Sequence, residues 1–420
     1  MARTARHSRS AGSFRVNSPL SIGVDMTTNK EISAIIIGGA GAMGRWAVRA
    51  IAQLGSVSEL LIADIDLDKA QRLVDEVGEP CRAIRLDATD ADAMREAFAE
   101  CDVVLNTMGP FSLFARRILE VAIESGCDYL DIDDDWESTL EAFELDAAAR
   151  EKGLHVIKGI GGSPGFSNMC ALVAARRLDK VDELFTGWSL RGAVTEEETA
   201  FPAPAGASAA VEHWLIQVSG SIRTWRDGRE QDVAPLESVS LDYPGLGRVH
   251  AYTVGHPEAI TLPRYVEGVS RSTNLTSGPE WIFEHVRKVA AAYTAGEVSL
   301  AEGARQMDEP PVPADLGPRD PLSQCWAAAY GLRDGRPVVV SVEPAAVPRG
   351  KMGGGTGVPL AIGLELLRRG RITRTGVHAP EGAIEPDDFF ALYGNFVELP
   401  EGKDPLVIRE LDDPSPVSFG

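Results

Sequence analysis

The chain reads as a two-lobe α/β protein: a parallel sheet covered by helices, then an α+β lobe built on a mainly antiparallel sheet. Three observations carry that fold class. From Ile32 to about Ile160, short β-rich runs alternate with amphipathic helical runs, the pattern of a parallel sheet buried on both faces. After Asp182 the alternation gives way to clustered strands, two of them turned at Asp-Gly pairs as hairpins are. The 420 residues, 44% of them hydrophobic and 25% charged, are enough for two or three domains with sizeable cores.

Element by element, residues 1–30 are Arg- and Ser-rich without an apolar core, and read as a disordered extension ahead of the fold. The strands follow at "AIIIGG", "LLIADI", "CRAIRLD", "DVVLNTM", "CDYLDI" and "HVIKGI". Helical patterns such as "RWAVRAIAQLG", "LDKAQRLVDEVG" and "FARRILEVAIESG" separate most of them. This gives a dinucleotide-binding domain at 31–160. A substrate and dimerisation domain occupies 161–350, with strands at "ELFTGWSLRG", "SIRTWRDGREQ" and "CWAAAYGLRDGRPVVVSVEP" and a Pro-rich loop at "MDEPPVPADLGPRDP". Residues 351–420 return to the first lobe through a strong helical run, and "MGGGTGVP" reads either as another helix start at Thr356 and Gly357 or as a hinge between the lobes.

The run "IIIGGAGAMGRW" holds GxGxxG as Gly39, Gly41 and Gly44 at a strand-to-helix junction, with Ala42 and Met43 between them. The first glycine permits the tight turn, the second lets backbone approach a pyrophosphate, and the third lets helix and strand pack closely. The diphosphate then lies on the helix N-terminus, where free N–H groups and the dipole favour an anion. This makes the first lobe Rossmann-type. Asp64 ends the second strand, 20 residues beyond Gly44, where an acid binds the ribose hydroxyls and repels a 2′-phosphate. NAD is therefore favoured over NADP. Asp87 at the third strand's end contacts adenine or caps a helix; Asn106, Met108, Gly109 and Pro110 end the fourth, beside the nicotinamide ribose.

By the same rule "CDYLDIDDDWE" delivers Asp131, Asp133, Asp134 and Asp135 to the cofactor's edge. Asp131 or Asp133 would face a substrate ammonium, while Asp134, Asp135 and Glu137 suit the start of the next helix. In "GIGGSPGFSN", Ser163 reads as an N-cap and Pro164 as the first helical residue, aiming a second helix start at the same crevice. That end suits a substrate carboxylate or the nicotinamide amide.

Composition excludes several classes. A net charge of −21 leaves no basic field to displace phosphate counterions, so no nucleic acid partner is expected. Five scattered cysteines without CxxC spacing imply neither a disulfide framework nor a metal site, and fit a reducing cytoplasm. No apolar run reaches the roughly 18 residues of a membrane span.

The motifs "IIIGGAGAMG", "VVLNTMGPF", "YLDIDDD" and "GIGGSPGFSN" together resemble the saccharopine dehydrogenase family, especially its lysine 6-dehydrogenase-like branch. The run from Ile222 to Tyr265 is similar to that family's substrate-domain segment, and the closing "GGGTGVPLAIGLELLRRGRITRTGVHAPEGAIEPDDFF" to its last helix and "G-V-x-x-P-E" signature. The resemblance implies NAD(P)-dependent oxidation at a carbon bearing nitrogen, in a usually dimeric enzyme acting on a small amine or amino acid. Carried onto this chain, it implies Asp133, Gly165, Asn168, His256 and Glu258 on the substrate side. Such chemistry needs a proton acceptor near neutral pH, which suits His256, with Asp133 or Glu258 orienting the cation; Lys158 is a second acid/base candidate or an ion-pair partner for the acid cluster. Trp188, Trp214 and Phe201 are candidates for a pocket wall or for core. Two other functions stand beside oxidative deamination: a reductase that joins a carbonyl to an amine, and a cofactor-binding sensor without turnover.

Overall fold

A computed structural model describes residues 31–193, 196, 198, 201 and 209–420. The expected extension at 1–30 lies outside the described residues. The first lobe runs β1 (Ser33–Ile37), α1 (Gly44–Leu54), β2 (Glu59–Asp64), α2 (Leu67–Val77), β3 (Cys81–Arg85), α3 (Ala91–Phe98), β4 (Val103–Asn106), α4 (Phe111–Ser125), β5 (Asp128–Asp131), α5 (Trp136–Phe143), α6 (Asp146–Glu151) and β6 (His155–Ile157). The second runs α7 (Phe166–Ala175), β7 (Lys180–Ser189), α8 (Ala209–Gln217), β8 (Ile222–Arg226), β9 (Arg229–Val233), β10 (Ser238–Tyr243), β11 (Gly247–Thr253), α9 (Glu258–Thr261), β12 (Arg271–Ser277), α10 (Glu280–Thr294), α11 (Leu300–Asp308), β13 (Cys325–Arg333) and β14 (Arg336–Pro344). The chain ends with α12 (Met352–Arg368), β15 (Gly376–His378), α13 (Pro386–Tyr393), β16 (Leu406–Asp412) and β17 (Ser418–Phe419).

The first sheet has the order β15-β6-β5-β4-β1-β2-β3 and is parallel throughout. Because strand side chains alternate, Ile35, Ile37 and Val104 enter the core on one face, while Ile36, Ile62 and Leu105 enter the core on the other. Both faces are therefore buried, as the continuous apolar runs require. The order reverses between β1 and β4, and in open sheets of this kind ligands collect beyond the carboxyl ends of the strands at that point.

The second sheet runs β16-β14-β13-β7-β12-β11-β10-β17, with the β8–β9 hairpin beside β12. Only β7 and β12 pair in parallel; the other pairings are antiparallel. Both anticipated hairpins turn at their Asp-Gly pairs, Asp227-Gly228 and Asp334-Gly335, whose positive φ values are what a two-residue hairpin turn demands.

Residues past 350 differ in part from the expected return. α12 packs along α1, and β15 extends the parallel sheet beside β6, but β16 and β17 pair with β14 and β10 in the second sheet. Thr356 and Gly357 do not start a helix. α12 begins four residues earlier, behind Lys351 at φ 53°, and Gly357 sits inside it because the crossing with α1 has no room for a side chain. A Cβ there would lie 2.5 Å from the Ala47 nitrogen.

Candidate active site

Construction begins at the glycine turn. A Cβ on Gly44 would lie 2.3 Å from the Gly38 carbonyl oxygen, and one on Gly39 would lie 2.8 Å from the Ile36 side chain. Gly41 and Ala42 face solvent, so backbone there is open to a ligand. α1 has no side-chain cap; the Arg45 and Trp46 N–H groups are taken by the Gly41 and Met43 carbonyls at 3.1 Å each, so the N–H groups offered to an anion are those of the turn itself, from Ala42 to Gly44. Asp64 Oδ2 accepts the Ala40 N–H at 3.2 Å and Oδ1 the Asp66 N–H at 3.0 Å, holding the carboxylate beside the turn. Thr107 ties the end of β4 to β1 through Ile37 and Gly38 carbonyls at 2.8 and 3.0 Å, which sets Met108 against Gly38. The residues present fit a dinucleotide.

Two of the anticipated cofactor contacts have other work. Asn106 is fully buried; its amide donates to the Tyr129 hydroxyl at 3.1 Å and accepts the Met108 N–H at 2.9 Å. It shapes the β4 exit. Asp87 accepts the N–H and hydroxyl of Thr89 at 2.9 and 2.7 Å, a local turn, while the cap of α3 is Asp90. Gly109 and Pro110 lead directly into α4.

The acid cluster at the end of β5 faces an ammonium, but that ammonium belongs to the chain. Lys158, at the end of β6, is buried with its Nζ donating to Asp131 Oδ2 and, at 2.6 Å, to Asp133 Oδ2. Asp131 also accepts from the Tyr129 hydroxyl at 2.9 Å and the Gly159 N–H at 2.7 Å; Asp133 accepts from Ser138 Oγ at 2.5 Å and the Asp135 N–H at 2.8 Å. Both carboxylates are fully buried and fully engaged, which corrects the assignment of Asp131 and Asp133 to a substrate cation. Burial opposes charge on Lys158, but the two carboxylates outweigh it and raise its pKa. Burial pushes the Asp133 carboxyl up despite the ammonium beside it. Lys158 is thus the cation that permits two acids to be packed side by side, not a free acid or base.

Asp134 and Asp135 are held from the second lobe. His213 on α8 pairs with Asp134 at 2.8 Å and approaches Asp135 at 3.6 Å, and Asp135 caps α5. Burial would lower the His213 pKa, but the two acids outweigh it and raise it well above the ordinary value, so the ring is an imidazolium.

The start of α7 is closed. Its N-cap is Gly165 at φ 115°, not Ser163, and the helix begins at Phe166. A Cβ on Gly165 would overlap the Gly161 backbone at 2.2 Å, so only glycine fits this turn. The Gly165 N–H is taken by Asn168 Oδ1 at 2.7 Å, and the Phe166 and Ser167 N–H groups by the Gly161 and Gly162 carbonyls at 2.8 and 3.0 Å. No free donors of these three remain for a substrate carboxylate, which corrects that expectation for Gly165. Ser163 instead donates to Glu258.

What the turn carries is a second buried cluster. Glu258, with no exposed surface, accepts from the Ser163 and Ser167 hydroxyls, the latter at 2.8 Å, and its Oε2 lies 3.6 Å from His256 Nδ1. Burial pushes the Glu258 carboxyl up, but His256 and the Ser163 hydroxyl outweigh it and hold it below the ordinary value. Asn168 donates to Glu381 at 2.7 Å. Burial raises the Glu381 carboxyl to about 7, so it is close to half protonated at neutral pH. Trp188 stacks beside His256 at 5.9 Å and against Trp214 at 6.1 Å, whereas Phe201 lies away from them under Arg45 and Arg49.

Both clusters and the glycine turn share one edge. Gly161 and Gly162 abut Thr356 and Gly355 of α12, while Gly353 and Gly357 of the same helix abut Ala42, Met43 and Ala47 at the start of α1. Glu381, His213 and Gln217 were not anticipated. Glu381 lies within the quoted closing signature, and His213 and Gln217 are one helical turn apart on α8, but neither spacing says what they face. Among the described residues no group of three or more His, Cys, Asp or Glu is placed to hold a metal ion, and no helix is long and apolar enough to cross a membrane.

Comparison with known proteins agrees with this geometry. Residues 34–157 match the family described as the saccharopine dehydrogenase NADP binding domain. A carboxyaminopropylagmatine dehydrogenase from Synechocystis is 22% identical over 392 residues, spanning 86% of this chain and 96% of that protein. A lipid droplet localized protein from Caenorhabditis elegans is 26% identical over 77 residues, 18% of each chain. The apo saccharopine dehydrogenase (L-Glu forming) of Saccharomyces cerevisiae shares the fold, with TM-score 0.57 and 15% identity over 92% of this chain and 100% of that one. Residues 34–157 thus match a nicotinamide-dinucleotide-binding domain of the saccharopine dehydrogenase type, and the chain as a whole shares the fold of the yeast saccharopine dehydrogenase.

Proposed function

We propose that the protein is an NAD(P)-dependent oxidoreductase acting on a C–N bond of an amine or amino acid, by oxidative deamination through an imine. The observation that carries this is the buried His256–Glu258–Ser163 cluster on the same sheet edge as an open dinucleotide turn. A bound nicotinamide supplies the hydride acceptor. The substrate enters as an ammonium, and His256 takes its proton so that the nitrogen lone pair can assist hydride loss. Glu258 stabilises the resulting imidazolium; hydride loss leaves the substrate as an iminium, and the ring, once it has released its proton to solvent, takes a proton from the water that adds and delivers it to the departing nitrogen. Asp133 acts at one remove, holding Lys158 and Ser138 so that β5 and β6 present the turn that carries Ser163.

NAD is the preferred cofactor in this proposal, because Asp64 stands where a 2′-phosphate would lie. Five free thiols suit a cytoplasmic setting, and the family resemblance suits a homodimer. The Synechocystis relative's name favours a second form of the same chemistry, reduction of an imine made from a carbonyl and an amine. A substrate panel followed at 340 nm separates them. A lone amine, with L-lysine first in the panel, oxidised with NAD supports deamination; a requirement for a carbonyl partner with NADH supports condensation. Tight NADH binding with no turnover on either arm points to a sensor and overturns both.

A further inference from the structure

We infer that Gln217 is a positioning residue that fixes which ring nitrogen of His256 exchanges the proton. The inference rests on the role proposed for His256 above. Gln217 is the last residue of α8 and is buried, with its side chain between two fixed points. Its Nε2 donates to the Asp134 carbonyl oxygen at 2.8 Å. A backbone carbonyl only accepts, so the NH2 side of the amide must face Asp134 and the carbonyl side must face away. The atom facing away is Oε1, which lies 3.2 Å from His256 Nε2. An amide oxygen also only accepts, and at 3.2 Å it is nearer than the acceptors that face Nδ1, so Nε2 carries the hydrogen in the neutral ring.

The proton that comes and goes is therefore at Nδ1. That nitrogen faces Ser163 Oγ at 3.4 Å and Glu258 Oε2 at 3.6 Å, and this carboxylate oxygen has no hydrogen-bond partner among the described residues. When Nδ1 gains a proton, Glu258 Oε2 is in place to accept it in a hydrogen bond. The unpartnered oxygen and the fixed amide describe the two ends of one device: Gln217 sets the direction of the ring and Glu258 receives the charge. Gln217 also holds the backbone, because its own carbonyl accepts the Gly255 N–H at 3.1 Å, one residue before His256. The other charged groups near the ring are Asp134, with its partner His213 on α8, and Glu381 beyond Glu258. Trp188 and Asn274 present neutral side chains to the same cluster.

The tautomer is readable without turnover. Nitrogen-15 NMR of ring-labelled full-length protein, with His256 assigned by loss of its signals in His256→Gln, reports both nitrogens directly. At the alkaline end of a pH series the wild type should show a protonated Nε2 and a bare Nδ1. Gln217→Leu removes the acceptor and should give a mixture or the opposite tautomer, with kcat lowered about 10-fold or more and KM for the amine changed less than about twofold. Gln217→Glu keeps an acceptor at Nε2 and should restore both the tautomer and most of kcat. A wild-type ring protonated at Nδ1, or a ring pattern unchanged in Gln217→Leu, overturns the inference. If Gln217→Leu fails to fold, the wild-type and Gln217→Glu spectra still decide the point. A tautomer that shifts as expected in a protein that oxidises no amine upholds the positioning of the ring and overturns the proposed activity instead.

Discussion

Three carboxylates in the interior behave differently because their partners differ. Asp131 and Asp133 share Lys158, so removing that cation strands two buried charges. Lys158→Met should cost about 3–5 kcal/mol, measured as a fall in the urea midpoint at pH 7. Among the described residues Glu381 has no cation partner. In the unfolded chain its carboxyl titrates near 4.5 and in the fold near 7, so the folded state holds the proton more tightly. That stabilisation is fully present below pH 4.5 and is lost as pH rises through 7. Glu381→Gln keeps the neutral form throughout. It should match wild type at pH 5 and exceed it at pH 8, by at most about 3 kcal/mol from the size of the shift. A variant less stable at pH 8 would show that Glu381 holds its charge through some other contact. None of this was legible in the residues alone. "DIDDD" announced a carboxylate cluster, but whether its cation came from a ligand or from Lys158 depends on how β5 and β6 lie side by side. Ser163 looked like a cap because its own neighbours fit one, and only α9, more than 90 residues on, shows where its hydroxyl goes.

Elements of the first lobe were legible because each strand is bounded by turn residues and each helix by apolar periodicity. The glycine turn was legible for a stronger reason: side chains at Gly39 and Gly44 would collide with Ile36 and the Gly38 carbonyl, while Gly41 faces solvent and leaves backbone open. α12 was misplaced at its start because "MGGGTG" reads as a breaker, while in the fold those glycines are what lets α12 cross α1 closely. Gly357→Ala should therefore overpack the crossing and cost about 1–3 kcal/mol in the urea midpoint. It should also weaken NADH binding, measured by fluorescence titration, since Met43 and Ala47 move with it. Lost stability with an unchanged NADH Kd would separate the crossing from the cofactor turn.

At the scale of the molecule, the two lobes are tied at one edge by α7, α8, α9 and α12, and the proposed site lies where they meet. Pairing of β16 and β17 with the second sheet was not legible, since strand partners far apart in sequence leave no periodic mark. Asp64 tests the cofactor end of this arrangement: Asp64→Ala should raise the KM for NAD and reduce the ratio of NAD to NADP efficiency about 10-fold, read at 340 nm. Wild type already preferring NADP would remove the role given to that acid. The most direct measurement of the whole account is a crystal structure of the protein with NADH and an amine product or substrate. The predicted result places nicotinamide C4 about 3.5 Å from a carbon bearing nitrogen, with that nitrogen against the His256–Glu258 pair. A nicotinamide ring bound on the α1 turn but directed away from that pair would contradict it.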